Sequence, residues 1–333
     1  MASPVSTPEA PDLDELVAGI RAGDRTLVGR ALTLVESTLA ADQERAQELL
    51  ARLAPATGGA RRIGISGPPG AGKSTLVERL GVWLLERGHR VAVLAVDPSS
   101  ARTGGSILGD KTRMTKLALD ERAFVRPTPS AGALGGVARR TREAMVVLEA
   151  AGHDVVFVET VGVGQSEMAV AGMVDAFVVL LVAGAGDELQ GIKRGILEAA
   201  DLVAINKADE DRPRAERARR DFAAALRLLH AGGERWRPAV QLLSARTGEG
   251  VPELWGALEE HRRRLAASGD LESRRREQRR VWFRQELEEV LREALRSHPQ
   301  LAGQLPALEA RVAAGEETPE RAARRLLASL LGG

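Results

Sequence analysis

Residues 67–74 read Gly-Pro-Pro-Gly-Ala-Gly-Lys-Ser, so a lysine and a hydroxyl follow closely on three glycines. Glycines let a backbone curl until several N–H groups face one point, and a helix starting there adds the positive end of its dipole. A phosphate group suits that point. Lys73 would reach the β and γ phosphates and the Ser74 hydroxyl would ligate magnesium. Gly67, Pro68, Pro69, Gly70, Ala71, Gly72 and Thr75 would complete the cradle. The spacing is that of a P-loop, and its flanks fit, with the apolar RIGIS before it and a helix-like run after it. This loop leaves open ATP against GTP, and hydrolysis against kinase chemistry.

The second constellation is Asn206-Lys207-Ala208-Asp209, directly after the apolar DLVAI. It matches the NKxD arrangement of GTPases. The Asp209 carboxylate can accept hydrogen bonds from guanine N1 and N2, whereas adenine offers no such paired donors. Lys207 would lie along the base and Asn206 would tie the loop back toward the P-loop. Ser244-Ala245, after a further apolar run, resembles the loop that supports guanine O6 through a backbone N–H. GTP is therefore the expected nucleotide.

Two acids follow other apolar runs, Asp97 in AVDPSS and Glu159 in VETVGVGQSE. At the carboxyl edge of a parallel sheet, such acids can hold magnesium directly or through water. Glu159 and Gly162 form ExxG where GTPases more familiarly carry DxxG, and the Gly162 N–H would sense the γ phosphate. Gln165 is the candidate to orient attacking water, so Lys73, Glu159 and Gln165 make up the catalytic set. Residues 103–114, TGGSILGDKTRM, add Asp110 and Lys111 in a polar, glycine-rich loop. A comparable stretch, GDELQGIK, carries Gln190 and Lys193. Lysine is scarce among the 47 basic residues, standing only at 73, 111, 116, 193 and 207. Where it persists, a compact ammonium is a reasonable requirement.

The elements that must position these groups alternate regularly. RIGIS, RVAVLAVD, DVVFVET, AFVVLLVA, DLVAIN and AVQLLS are continuous apolar runs, the mark of parallel strands covered on both faces, and helix-length segments separate them. The expected fold is α/β, a P-loop NTPase with a mostly parallel, doubly wound sheet of about seven strands. Residues 1–11 read as a disordered tail and 12–58 as an N-terminal helical extension, with one amphipathic run from about Thr26 to Leu53. Residues 59–262 read as the nucleotide-binding domain and 263–333 as a helical arm, on which Phe283, Leu287, Val290, Leu291 and Leu295 form an apolar stripe.

Composition narrows the function class. A formal net charge of +1 argues against a dedicated nucleic-acid binder. The absence of cysteine excludes disulfides, thiolate zinc sites and cysteine catalysis. No stretch approaches the roughly 18 apolar residues of a membrane span, and the N-terminus has no signal-peptide pattern, so a cytoplasmic protein is expected. The arginine clusters at 262–264 and 274–280 read as a solvated helix face, because glutamates interleave them. The five histidines show no ligand spacing.

Taken together, GPPGAGKST, VDPSS, TGGSILGDKTRM, ETVGVGQSE, GDELQGIK and NKAD resemble, in order and spacing, the MeaB family of GTPase chaperones, as does the stretch 126–145. The resemblance implies a homodimeric GTPase, dimerised by its C-terminal helical arm. Its implied client is methylmalonyl-CoA mutase or a related adenosylcobalamin-dependent mutase, whose cofactor loading and protection it would gate. It also implies that Ser74, Asp97, Asp110 and Glu159 surround magnesium, and that Lys111, Gly162, Gln190 and Lys193 belong to switches. Mg2+ with GTP or GDP would be the cofactor set, with no tightly bound organic cofactor. One departure is Ala101-Arg102 after VDPSS, where a proline and an aromatic are usual. The competing readings are a GTPase metallochaperone for another client, a P-loop ATPase or kinase linked to amino-acid transport, and a non-hydrolysing scaffold.

Overall fold

A computed structural model describes residues 12–97, 114–129, 134–160, 167–183, 194–229 and 236–331. They divide into two compact units, one ending at Arg276 and the other starting at Glu277. The first unit is built on β1 (Arg61–Ser66), β2 (Val91–Asp97), β3 (Ala123–Pro129), β4 (Val155–Thr160), β5 (Ala176–Val182), β6 (Leu202–Asn206) and β7 (Ala239–Leu242). These pair in parallel in the order β3-β2-β4-β1-β5-β6-β7. The doubly wound parallel sheet expected from the unbroken apolar runs is present.

Alternate strand residues feed two cores, which explains why the runs are unbroken. Val156, Val158, Val179 and Ile205 face α1 (Leu13–Arg21), α2 (Arg25–Glu36), α3 (Ala40–Leu53) and α6 (Leu134–Ala150). The same core takes in α7 (Glu167–Ala171), α8 (Arg194–Glu198) and α9 (Arg212–Leu229). Val155, Phe157, Val178 and Leu180 face α4 (Lys73–Leu85), α5 (Thr115–Leu119) and α10 (Val251–Ser268).

Two details differ from the sequence reading. β3 was not among the apolar runs, because it carries Pro127 and Pro129; it is an edge strand paired only to β2, where a missing N–H does no harm. The amphipathic run from Thr26 to Leu53 is two helices. α2 stops at Ser37, whose backbone turns extended (ψ 146°), and the Ser37 hydroxyl donates to Asp42 Oδ2 at 2.7 Å to fix the corner.

A third correction concerns the arginines. Arg263 and Arg264 do lie on a solvated face, but Arg275 is only 5% exposed and Arg274 and Arg262 are half-buried. These three grip acids at the starts of strands. Arg275 bonds Asp175 through Nε (2.8 Å) and Nη2 (2.6 Å), and Arg274 bonds Asp201 Oδ1 and Oδ2 at 2.8 and 2.9 Å. Burial by itself would raise the Asp201 carboxyl, yet hydrogen bonds from His261 and Arg274 outweigh it and hold the group at about 2.

His153, between α6 and β4, is 5% exposed and lies edge-on to Phe124, its Nδ1 3.0 Å from Leu148 O. Burial lowers its pKa from 6.5 to about 4, so the folded chain resists a proton that the unfolded chain accepts. The unfolded state binds more protons between those values, so stability is full above pH 6.5 and falls as pH drops toward 4, by about 3 kcal/mol. In urea titrations at pH 7 and pH 4.5, His153→Leu should lose less stability on acidification than the parent. Equal losses in both would mean that His153 does not govern this step.

In the second unit, α11 (Asp270–Ser297), which starts in the first, is followed by α12 (Pro299–Ala313) and α13 (Pro319–Leu331). Leu308 and Ala322 are buried between the last two helices, and Arg311 and Arg325 approach Glu317 at 3.5 and 3.0 Å. The α11 stripe lies open, with Phe283 66% and Val290 58% exposed and Leu287, Leu291 and Leu295 also exposed. Among the described residues no helix is long and apolar enough to cross a membrane.

Candidate functional site

Because every strand runs the same way, Ser66, Thr160, Asn206 and Leu242 end at one edge of the sheet. The loop from β1 to α4 lies there. Gly67 has φ 146°, and a Cβ on it would stand 2.0 Å from Leu180 O, so only glycine fits against β5. Gly72, in left-handed conformation at φ 89°, caps α4, and a Cβ there would come within 2.5 Å of Asn206 Nδ2. Pro68, Pro69, Gly70 and Thr75 are exposed, and Ala71 is buried beneath them. The cradle is open to solvent above a fixed floor.

Lys73 is 7% exposed, and its ammonium donates to Gly67 O at 2.8 Å and Pro68 O at 3.0 Å, curling over the loop it belongs to. Burial lowers its pKa below the usual lysine value, while Glu159 and then Glu167 oppose the shift. The Ser74 hydroxyl donates to Glu159 Oε1 at 2.6 Å, placing two hard oxygen donors side by side at the start of α4. Behind them the Thr160 hydroxyl donates to Ser66 Oγ at 3.0 Å, joining the ends of β4 and β1.

The base-reading loop is tied to this cradle through one side chain. Asn206, 2% exposed at the end of β6, donates from Nδ2 to Ala71 O at 2.7 Å and accepts from Ala245 N at Oδ1, at 2.8 Å. Three separate segments thus meet on one amide. Lys207 follows at φ 60°, the one non-glycine residue with positive φ among those described, which turns the chain so that Asp209 stands over the same edge. Hydrogen bonds from Ser244 and then Arg246 hold the Asp209 carboxyl below its usual range. Ser244 is fully buried, its hydroxyl accepting from Thr247 N at 3.1 Å.

The structure therefore brings together residues 67–75, Glu159, Asn206, Lys207, Asp209, Ser244 and Ala245. Asp97 ends β2 at the same edge, but its side chain lies outside the described residues, as do Asp110, Lys111, Gly162, Gln165, Gln190 and Lys193. Two neighbours were not singled out from sequence. Glu167, 4% exposed at the start of α7, was legible only as the last acid of ETVGVGQSE. Arg246 carried no signal, being one arginine among many.

The chain matches the family model "Methylmalonyl Co-A mutase-associated GTPase MeaB" over residues 28–300. It is 54% identical over 316 residues to a probable GTPase of Mycobacterium tuberculosis, covering 95% of this chain and 94% of that one. It is 48% identical over 329 residues to the mitochondrial methylmalonic aciduria type A homolog of Mus musculus, covering 95% of this chain and 79% of the mouse protein. The solved structure titled LAO/AO transport system kinase superposes with a TM-score of 0.75 at 38% identity, covering 96% and 97% of the two chains. With a P-loop, a guanine-type loop and relatives of matching length that are named GTPases, this chain is a GTP hydrolase and belongs to the MeaB family of methylmalonyl-CoA mutase-associated GTPases.

Proposed function

We propose that the chain is a G-protein chaperone whose GTP cycle gates adenosylcobalamin loading, and protection, of methylmalonyl-CoA mutase or a related mutase. The observation that carries the nucleotide half is the pair of hydrogen bonds made by the Asn206 amide, which ties the phosphate cradle to the base reader. The family's printed name supports the client.

In this reading Lys73 leaves the carbonyls of Gly67 and Pro68 for the β and γ phosphate oxygens, a short movement for a flexible stem. The first N–H groups of α4 face the same oxygens. The paired oxygens of Ser74 and Glu159 fit a hard divalent cation, with Asp97 and Asp110 as the further acids. Magnesium, when bound there, supplies charge neutralisation to the transferring phosphoryl group. Asp209 selects guanine, which disfavours the transport-kinase alternative, since adenine brings this carboxylate no matching pair of N–H donors. Lys111, Gly162, Gln165, Gln190 and Lys193 are proposed for the switches and the attacking water. Turnover is slow until the client docks, and the open α11 stripe pairs with a second copy of the chain.

The test is steady-state GTP hydrolysis by the purified protein with and without a methylmalonyl-CoA mutase. Stimulation of at least about tenfold is expected if the partner completes the site, well short of the largest trans effects known for GTPases. A rate unmoved by the mutase at saturating concentration would reject this client.

A further inference from the structure

The Asp209 carboxylate is the group proposed to read guanine, and it is already occupied. Arg246 places both Nε (3.1 Å) and Nη2 on Asp209 Oδ2, and the Ser244 side chain also hydrogen-bonds the carboxylate. The two partners differ in what they can do. Ser244 is fully buried and fixed by the turn that follows, in which Ser244 N donates to Glu249 O at 2.9 Å and Thr247 N to the Ser244 hydroxyl. The Arg246 side chain is 77% exposed on a flexible stem, and only its main chain is anchored, through Arg79, which donates to Arg246 O and, at 3.3 Å, to Ala245 O. One partner stays and the other can leave.

The chemistry of the departing group is specific. A guanidinium is one carbon carrying three nitrogens in a plane. The edge of guanine that meets an aspartate is the same fragment, C2 bearing N1–H and the exocyclic N2–H. Arg246 offers this carboxylate a planar pair of N–H donors of the kind that the base brings. We propose that Arg246 is a built-in mimic of the guanine edge, which occupies the base reader when no guanine is bound and must be displaced before the base can seat.

The consequence is intramolecular competition. Any purine that engages Asp209 binds more weakly by the factor with which the ion pair populates the empty site. Because the guanidinium is largely solvated, that factor is modest, about two- to fivefold at low salt, and it shrinks as ions screen the contact. A purine that does not engage Asp209 escapes the competition. The device also speeds release, because the guanidinium is at hand to take the carboxylate as the base lifts. It thereby favours exchange in a protein whose partner is to act on the nucleotide cycle. The inference rests on Asp209 as the guanine reader.

The experiment is equilibrium and stopped-flow binding of fluorescent GDP and ADP to the full-length protein and to Arg246→Ala, Arg246→Lys, Asp209→Asn and the Arg246→Ala/Asp209→Asn pair. Arg246→Ala should bind GDP about two- to fivefold more tightly at low salt, through faster association as well as slower release, with ADP binding unchanged. Arg246→Lys keeps the charge but loses the planar fork, so its GDP affinity should fall between parent and Arg246→Ala. On the Asp209→Asn background the gain from Arg246→Ala should vanish, since the two residues act through one contact. Unchanged or weaker GDP binding by Arg246→Ala, or a gain that survives on Asp209→Asn, would overturn the mimicry. Parent protein that binds ADP as tightly as GDP would instead sink the guanine reading, whatever the variant does.

Discussion

Asn206→Ala is expected to lower global stability by about 2–5 kcal/mol and to weaken GDP binding at least about tenfold, because it strands two buried backbone groups at once. Ala71 O and Ala245 N are the partners of the Asn206 amide, at 2.7 and 2.8 Å, and both alanines are buried. A buried polar group left without a partner costs about 1–3 kcal/mol, more than the bond itself contributes. The functional loss has a separate cause. Ala71 sits in the phosphate cradle and Ala245 in the loop beside the base, so the amide sets the distance between the two halves of the nucleotide site. Without it each half can still bind its part of GTP, but no longer at a fixed spacing, and ordering them on binding draws on the binding energy. Urea denaturation and fluorescent-GDP titration of the same preparation read the two effects. A variant less stable by under 1 kcal/mol with normal GDP affinity would show that the amide is not what joins the halves.

How much of this was legible in the sequence follows from what each signal depends on. The cradle and NKAD were readable because backbone geometry demands glycine at 67 and 72, and base recognition demands a carboxylate at 209. Six strands were readable because a parallel strand buried on both faces must be apolar throughout. β3 was not, since an edge strand is released from half of its hydrogen bonding and can carry Pro127 and Pro129. The break between α2 and α3 was hidden because the apolar spacing continues across it, and the stop is made by one serine. Contacts between charged groups were the least legible. Arg246, Arg274 and Arg275 look alike in a chain that uses arginine almost everywhere, yet one covers the base reader and two are packed at the opposite edge of the sheet. Partner and burial distinguish them, and neither is written locally. The switch assignments at 111, 162, 165, 190 and 193 stand on the sequence alone.

Arg275→Ala should cost about 3–5 kcal/mol, the loss expected when a buried pair loses one partner and keeps an uncompensated charge. Four of the five guanidinium N–H groups are engaged. Nε and Nη2 bond both oxygens of Asp175, Nη2 also donates to Ala60 O at 2.8 Å, and Nη1 donates to Gly58 O. It thereby fastens the second turn of α11 to the start of β5 and to the segment that leads into β1. Removing it leaves Asp175, whose side chain is 7% exposed, with the Arg62 amide at 3.0 Å and with Arg262, 3.6 Å away. That remnant places the loss nearer the lower end of the range. Lysine should rescue little, because one ammonium cannot meet two carboxylate oxygens and two carbonyls in a fork. Double removal, Asp175→Asn with Arg275→Ala, separates the charge from the packing. If the penalty is mainly the stranded carboxylate, the pair recovers part of the loss of Arg275→Ala, because no charge is left buried. Strictly additive losses by urea denaturation would instead assign the cost to the carbonyls of Gly58 and Ala60, and the clamp would then be holding the backbone ahead of β1 rather than a charge at the head of β5.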